Sequence, residues 1–316
     1  MGADPAAIPM DRTALAAWRA AGETVSWRGH RIFLRRHDRS DAPRLVLIHG
    51  FPTAGFDWAR LWPALAARAA LIAPDMLGFG FSAKPRAHRY SLFEQADLVT
   101  DLVREAGWAD GAPVHVLAHD YGDTVAQELL VRARVGELPF RLASVVFLNG
   151  GMFFSAIRLS PMQIRLRDPV GRLLQHLITR GRFRRQFAAI FGAAHRPDRA
   201  ELDAFFDLVT AGGGRGVLHA LSRYLHERAA HEERWSRAVA EAPVPIALIY
   251  GPEDPISGES IARRFRELAP DAPVVPLAGV GHYPQVEAPA AVLEAFLALH
   301  RRWGGGLADE TRAGAP

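Results

Sequence analysis

Asp120 falls where an apolar, β-branched run, VHVLAH, gives way to YGDTVAQELLVR, whose apolar residues recur at helical spacing. A strand-to-helix turn of this kind is tight and needs little bulk around its central residue. Ala118 and Gly122 meet that need two positions before and after, in the pattern of a nucleophile elbow carrying aspartate where serine usually stands. The first amides and positive end of the following helix would face this corner and keep a carboxylate ionised. Taken alone, Asp120 reads better as a helix N-cap, a position where aspartate is common.

Two distant positions reverse that reading. The run IALIYG ends in PEDPI, which puts Asp254 in the loop after a strand, and PVVPLAG ends in VGHYPQVEAP, which does the same for His282. Strand carboxyl ends of a parallel sheet gather at one edge, so the three residues can meet there in the order nucleophile, acid, histidine. Glu253 is the neighbour that could stand in for Asp254. The run RLVLIHG leads into HGFPTAGFDW, where a loop after His49 and Gly50 can aim the Phe51 amide at the site. With the amide of Tyr121, it would form an oxyanion hole. His49 is counted on the substrate side of this loop, although its ordinary reading is a loop-bracing histidine whose backbone alone is used.

The elements that must position these residues are legible as an alternation. Eight short strands are expected in TVSWRG, RIFLRR, RLVLIHG, ALIAPD, VHVLAH, SVVFLN, IALIYG and PVVPLAG. Helices are expected near residues 56–68, 91–107, 121–134, 256–268 and 287–301, which argues an α/β class with a mostly parallel eight-stranded sheet covered on both faces. Residues 151–236 break the alternation and read as an inserted helical cap. Residues 1–150 and 237–302 are then the two parts of the core, and 303–316 a tail without hydrophobic period, expected to be disordered.

Across 316 residues, 49% are hydrophobic and 23% charged, and no stretch approaches the roughly 20 apolar residues of a membrane span. The absence of cysteine excludes disulfides, thiol catalysis and thiolate metal sites. The formal charge is +4, carried almost wholly by arginine, with Lys84 the sole lysine. Several arginines cluster between Arg158 and Arg199, as a solvated helical face or as a surface for acidic substrates or membranes. The first twenty residues lack a secretory pattern, so a cytoplasmic monomer or homodimer without nucleic-acid partners is expected.

The motifs HDYGDTVAQELLVR, DMLGFGFSAKP, LNGGMFF, YGPEDPI and GHYPQVE resemble the epoxide hydrolase and haloalkane dehalogenase branch of the α/β-hydrolases, and within it the mesoderm-specific transcript proteins, over roughly residues 25–300. The resemblance implies an α/β-hydrolase fold with a cap, and a triad of Asp120, Asp254 and His282. It also implies a small apolar organic substrate with water as co-substrate, and no metal or organic cofactor. Asp120 would attack a saturated carbon to give an ester, which water activated by His282 would hydrolyse. Epoxide hydrolases of this kind use two cap tyrosines. LHALSRYLHER resembles the segment bearing one of them, Tyr224, while no tyrosine lies between Tyr121 and Tyr224, leaving His219 or His226 as substitutes. For a dehalogenase, Tyr121 and Phe51 stand where halide-binding tryptophan and asparagine are usual, and Trp235 is the remaining candidate. Asp123 departs from the small residue usual after the elbow. Epoxide opening is the favoured expectation and dehalogenation the alternative; a catalytically silent binding protein on the same scaffold is the reading from another class.

Overall fold

The computed structural model describes residues 5–304 and 306–308. One sheet is built from β1 Glu23–Trp27, β2 His30–His37, β3 Arg44–Ile48, β4 Ala70–Pro74, β5 Pro113–His119, β6 Arg141–Leu148, β7 Ile246–Tyr250 and β8 Val274–Pro276. Its spatial order is β1-β2-β4-β3-β5-β6-β7-β8. Pairings β1–β2 and β2–β4 are antiparallel, and every later pairing is parallel. All eight expected strands are present. The central ones read as unbroken apolar runs because both of their faces are covered: β7 is buried throughout, as is β3 after Arg44 and β5 after Pro113.

The helices before the cap are α1 Arg12–Ala20, α2 Trp62–Ala66, α3 Leu92–Glu105 and α4 Tyr121–Arg134. The cap carries α5 Pro161–Arg167, α6 Gly171–Leu174, α7 Arg180–Ala188, α8 Arg199–Thr210, α9 Leu218–Ser222 and α10 Tyr224–Ala230. The chain returns to the core through α11 Glu232–Ala240, α12 Glu259–Leu268, α13 Pro284–Glu287 and α14 Pro289–Arg302. Among the described residues no helix is long and apolar enough to cross a membrane.

Three expectations change. The helix α1 is additional to those expected; the Asp11 side chain caps it through the Ala14 amide, Leu15 and Trp18 are buried, and Arg12 binds Asp207 of α8 at 2.6 Å. The expected cap boundary at 236 falls inside α11, which packs against α4. There Gln127 Nε2 donates to the Trp235 carbonyl at 3.1 Å. Finally, the tail expected from 303 has structure where it is described: Gly306–Ala308 forms a 3-10 turn whose Leu307 is fully buried. Residues 309–316 lie outside the described residues.

Candidate active site

β5 delivers Asp120 to the sheet edge at φ 48° and ψ −102°. This left-handed conformation costs a non-glycine residue on the order of 1–3 kcal/mol and persists only when its surroundings impose it. They do so by close approach. A Cβ at Gly122 would collide with the Ile48 carbonyl oxygen, one at Gly150 would lie 2.8 Å from Asp120 Cα, and one at Gly50 would lie 2.7 Å from His119 Nδ1. The N-cap reading fails here, because Asp120 makes no side-chain bond to the amides of α4. Its Oδ2 instead accepts from the Phe51 amide at 3.0 Å. The bond between Phe51 and Pro52 is cis. Tyr121, whose amide is the other expected donor, opens α4, where the first amides have no helical carbonyl behind them.

The loop after β7 brings Asp254 to His282: His282 Nδ1 donates to Asp254 Oδ2 at 2.8 Å. Three more donors hold that carboxylate, namely Ser257 Oγ at 2.6 Å, Asn149 Nδ2 at 2.9 Å and the Ile256 amide at 2.8 Å. Burial would raise Asp254, but His282 and these hydrogen bonds outweigh it and bring the carboxyl down to about 2. Burial likewise pulls His282 down, and the charge and hydrogen bond of Asp254, with Asp120 adding to them, lift it to about 9. At neutral pH the imidazole is therefore an imidazolium sharing a cavity wall with Asp120. Glu253 does not compete for this place; it is exposed and accepts from the Ala193 amide at 3.0 Å.

Several contributors carry no signal in the sequence, or only a faint one. Asn149, one residue past β6, also accepts from the Gly251 amide at 2.6 Å and so ties the acid loop to the sheet. His119, lowered to about 3 by burial and then by the nearby His282, is a neutral ring whose Nε2–H donates to the His282 carbonyl at 2.7 Å. Arg228 of α10 is buried beneath the elbow. Its Nη2 donates to the Asp120 carbonyl at 2.7 Å and its Nε to Thr124 Oγ1 at 2.8 Å, while Nη1 lies 3.7 Å from Asp120 Oδ1. Asp123 is also fully buried; desolvation and then the charge of Asp120 hold its carboxyl well above the ordinary range. Nothing in the spacing of LHER marks Arg228 as internal, whereas Asn149 lies within the motif LNGGMFF.

A cavity of about 490 Å³ opens over Asp120 and His282. Its walls are largely apolar, with Phe51, Phe183, Phe187, Leu159, Ile190 and Ile256, and its polar side chains include Ser160, Gln163, Gln186 and Arg158. The expected substrate-binding residues are placed differently. Tyr224 does not line the cavity: its ring centroid lies 5.6 Å from that of Phe51 and 5.0 Å from that of Tyr121, and its hydroxyl accepts from Gln163 Nε2 at 3.5 Å. Trp235 is fully buried against the core and donates to Glu128 at 3.1 Å. His49 is committed to the loop: Nδ1 bonds the Gly50 carbonyl at 2.9 Å and Nε2 accepts from the Met76 amide at 3.0 Å. Nor do the expected substitutes enter, since His219 Nδ1 bonds the Leu166 carbonyl at 2.6 Å and His226 is exposed. Among the described residues no cluster of three or more His, Cys, Asp or Glu side chains could hold a metal ion.

A model of the alpha/beta hydrolase family matches residues 45–295. The putative hydrolase LipZ of Mycobacterium tuberculosis is 42% identical over 282 residues, covering 89% of this chain and 96% of that protein. The mesoderm-specific transcript protein of Mus musculus is 37% identical over 301 residues, covering 92% and 88% respectively. Among solved structures, haloalkane dehalogenase DbeA from Bradyrhizobium elkani superposes with a TM-score of 0.73 at 23% identity, covering 90% of this chain and 98% of that one; at that identity it speaks for the fold.

Proposed function

The chain belongs to the alpha/beta hydrolase family, and from that premise we propose that it hydrolyses a small apolar electrophile through an ester on Asp120, with epoxide opening the preferred reaction. One observation carries the reading. Asp120 sits uncapped at the base of an apolar cavity, one oxygen held by the Phe51 amide, with the Asp254-oriented His282 on the same wall. Carboxylates attack saturated carbon, and the resulting ester has a carbonyl that water can attack.

The charges support a sequence in which each step prepares the next. Asp120 attacks carbon and the carbon–oxygen bond of the epoxide breaks. The ring oxygen takes a proton from the imidazolium of His282, and Gln163, which bonds the Tyr224 hydroxyl, is a cavity-wall amide able to donate to the developing alkoxide. Once Asp120 is an ester, one of the charges raising His282 has gone. The neutral imidazole then takes a proton from water, which adds to the ester carbonyl while the Phe51 and Tyr121 amides receive the oxyanion. Collapse returns the Asp120 carboxylate and releases a diol.

A halide leaving group would use the same carboxylate and histidine. Against it, Tyr121 and Phe51 occupy the usual halide-cradle positions, and Trp235 is turned away from the cavity. Single turnover of styrene oxide in oxygen-18 water, followed by mass spectrometry of the peptide bearing Asp120, is expected to place label in that carboxylate. A product formed with no label in Asp120 overturns the ester. Halide release from 1-bromobutane, with styrene oxide untouched, would transfer the leaving group to the alternative.

A further inference from the structure

Large apolar side chains that are strongly exposed are few in this protein, and their distribution is uneven. Of the five among the described residues, four fall in a fourteen-residue run of the cap: Ile164 at 41% exposure, Val170 at 50%, Leu173 at 72% and Leu177 at 60%. They ride on α5, α6 and the 3-10 turn Gln175–Leu177, which pack on one another in succession, with α5 and α6 resting on α9 beneath. Basic charge concentrates in the same place. Residues 161–190 contain seven arginines and one acid, Asp168, a net of +6 where the whole chain carries +4. Among the described residues, no carboxylate pairs with Arg165, Arg172, Arg182 or Arg185, whereas Arg180 and Arg184 are neutralised by Asp203 and Asp207.

We propose that the outer face of the cap between Ile164 and Arg185 docks on an anionic phospholipid bilayer. Leucine and isoleucine side chains would enter the headgroup and acyl boundary while the arginines engage lipid phosphates. A second copy of the chain is disfavoured as occupant, because a two-fold contact would set Arg165, Arg172, Arg182 and Arg185 of one copy against the same four of the other. The position also suits a catalyst of apolar molecules: the run is bracketed by the helices whose Ser160, Pro161, Gln163, Phe183, Gln186 and Phe187 edge the cavity. Docking there would place the cavity beside the phase in which apolar compounds dissolve.

Co-sedimentation of the full chain with sucrose-loaded vesicles tests this. Phosphatidylcholine vesicles containing about a third phosphatidylglycerol are expected to bind the chain at least tenfold better than pure phosphatidylcholine, an order-of-magnitude figure at roughly fivefold per engaged arginine. Raising salt from about 0.1 M to about 1 M, which contracts the Debye length from about 10 to about 3 Å, should release it. The substitutions Leu173→Ser with Leu177→Ser, and separately Arg165→Gln with Arg172→Gln, are all at exposed positions and should each weaken binding about tenfold or more without lowering the melting temperature. Asp120→Asn is expected to sediment as the native chain does, so loss of catalysis and loss of docking are read separately. The proposal is overturned if the native chain shows no preference for anionic vesicles, or if either double variant binds within about twofold of native. It is also overturned if sedimentation velocity shows a dimer that Leu173→Ser with Leu177→Ser dissolves.

Discussion

Replacing Asp254 with asparagine removes the charge that sets the state of His282 while leaving the carboxylate of Asp120 in place. Burial alone would carry the imidazole below its ordinary 6.5, and the charge and hydrogen bond of Asp254 do most to lift it to about 9. Asp254→Asn is therefore expected to drop His282 below 6.5, equivalent to the loss of about 3 kcal/mol or more of favourable interaction with the imidazolium. Attack by Asp120 requires no base and should proceed, slowed by the loss of a proton donor. Ester hydrolysis requires an oriented imidazole whose developing charge is compensated, and should fall on the order of 10³-fold. An alkyl-enzyme of intact mass equal to protein plus epoxide should then accumulate in quenched reactions. The same ion pair also shapes stability against pH. A raised histidine contributes fully below 6.5 and loses its contribution as pH rises through about 9, whereas the depressed Asp254 contributes above 3.8 and fails as pH falls through about 2. Both limbs report one interaction and are counted once. Urea midpoints for the native chain should fall between about pH 6 and about pH 9.5, and in Asp254→Asn that fall should shrink. This role for Asp254 is refuted if the variant hydrolyses its ester at the native rate, or if the His282 C2 proton, assigned against His282→Gln, still titrates near 9.

Arg228→Met should destabilise the fold by about 3–5 kcal/mol, since it strips the cation from a buried site and leaves the Asp120 carbonyl and Thr124 hydroxyl without their donor; a urea midpoint unchanged from native would contradict this. Asp123→Asn should alter stability by less than about 1 kcal/mol and turnover by less than about threefold, because desolvation and the charge of Asp120 both favour the neutral form of that carboxyl, which the amide mimics; a hundredfold loss of turnover would show that its charge is used. Gly122→Ala should cost about 3 kcal/mol or prevent folding, since its Cβ would meet the Ile48 carbonyl oxygen, and thermal unfolding of the purified variant checks it.

The order of elements and the three catalytic candidates are legible in one dimension because they rest on local patterns. An apolar run of five to seven residues with both faces covered reads as a strand whichever neighbours it acquires. Asp120 and Asp254 each follow such a run, and His282 lies in the loop after the short edge strand β8 Val274–Pro276, so a parallel sheet brings all three to one edge. The helix α1 leaves a weaker trace, because nine residues make a marginal helix by themselves, and this one depends on burying Leu15 and Trp18 and on Arg12 reaching Asp207.

What chain order could not decide was direction. Tyr224, Trp235 and His49 are polar aromatics near the site in sequence logic, yet the fold spends their polar atoms on Gln163, Glu128 and the Gly50 and Met76 backbone. Arg228 resembles any other cap arginine until helix packing carries it to the Asp120 carbonyl, where only a long-range contact across 108 residues reveals its role. Sequence alone establishes which residue types follow which strands, a short-range matter of periodicity and turn chemistry. Tertiary packing selects the face each cap side chain presents, and with it the cavity's polar groups and the charge state of His282, because burial and ion pairing arise only when distant segments meet.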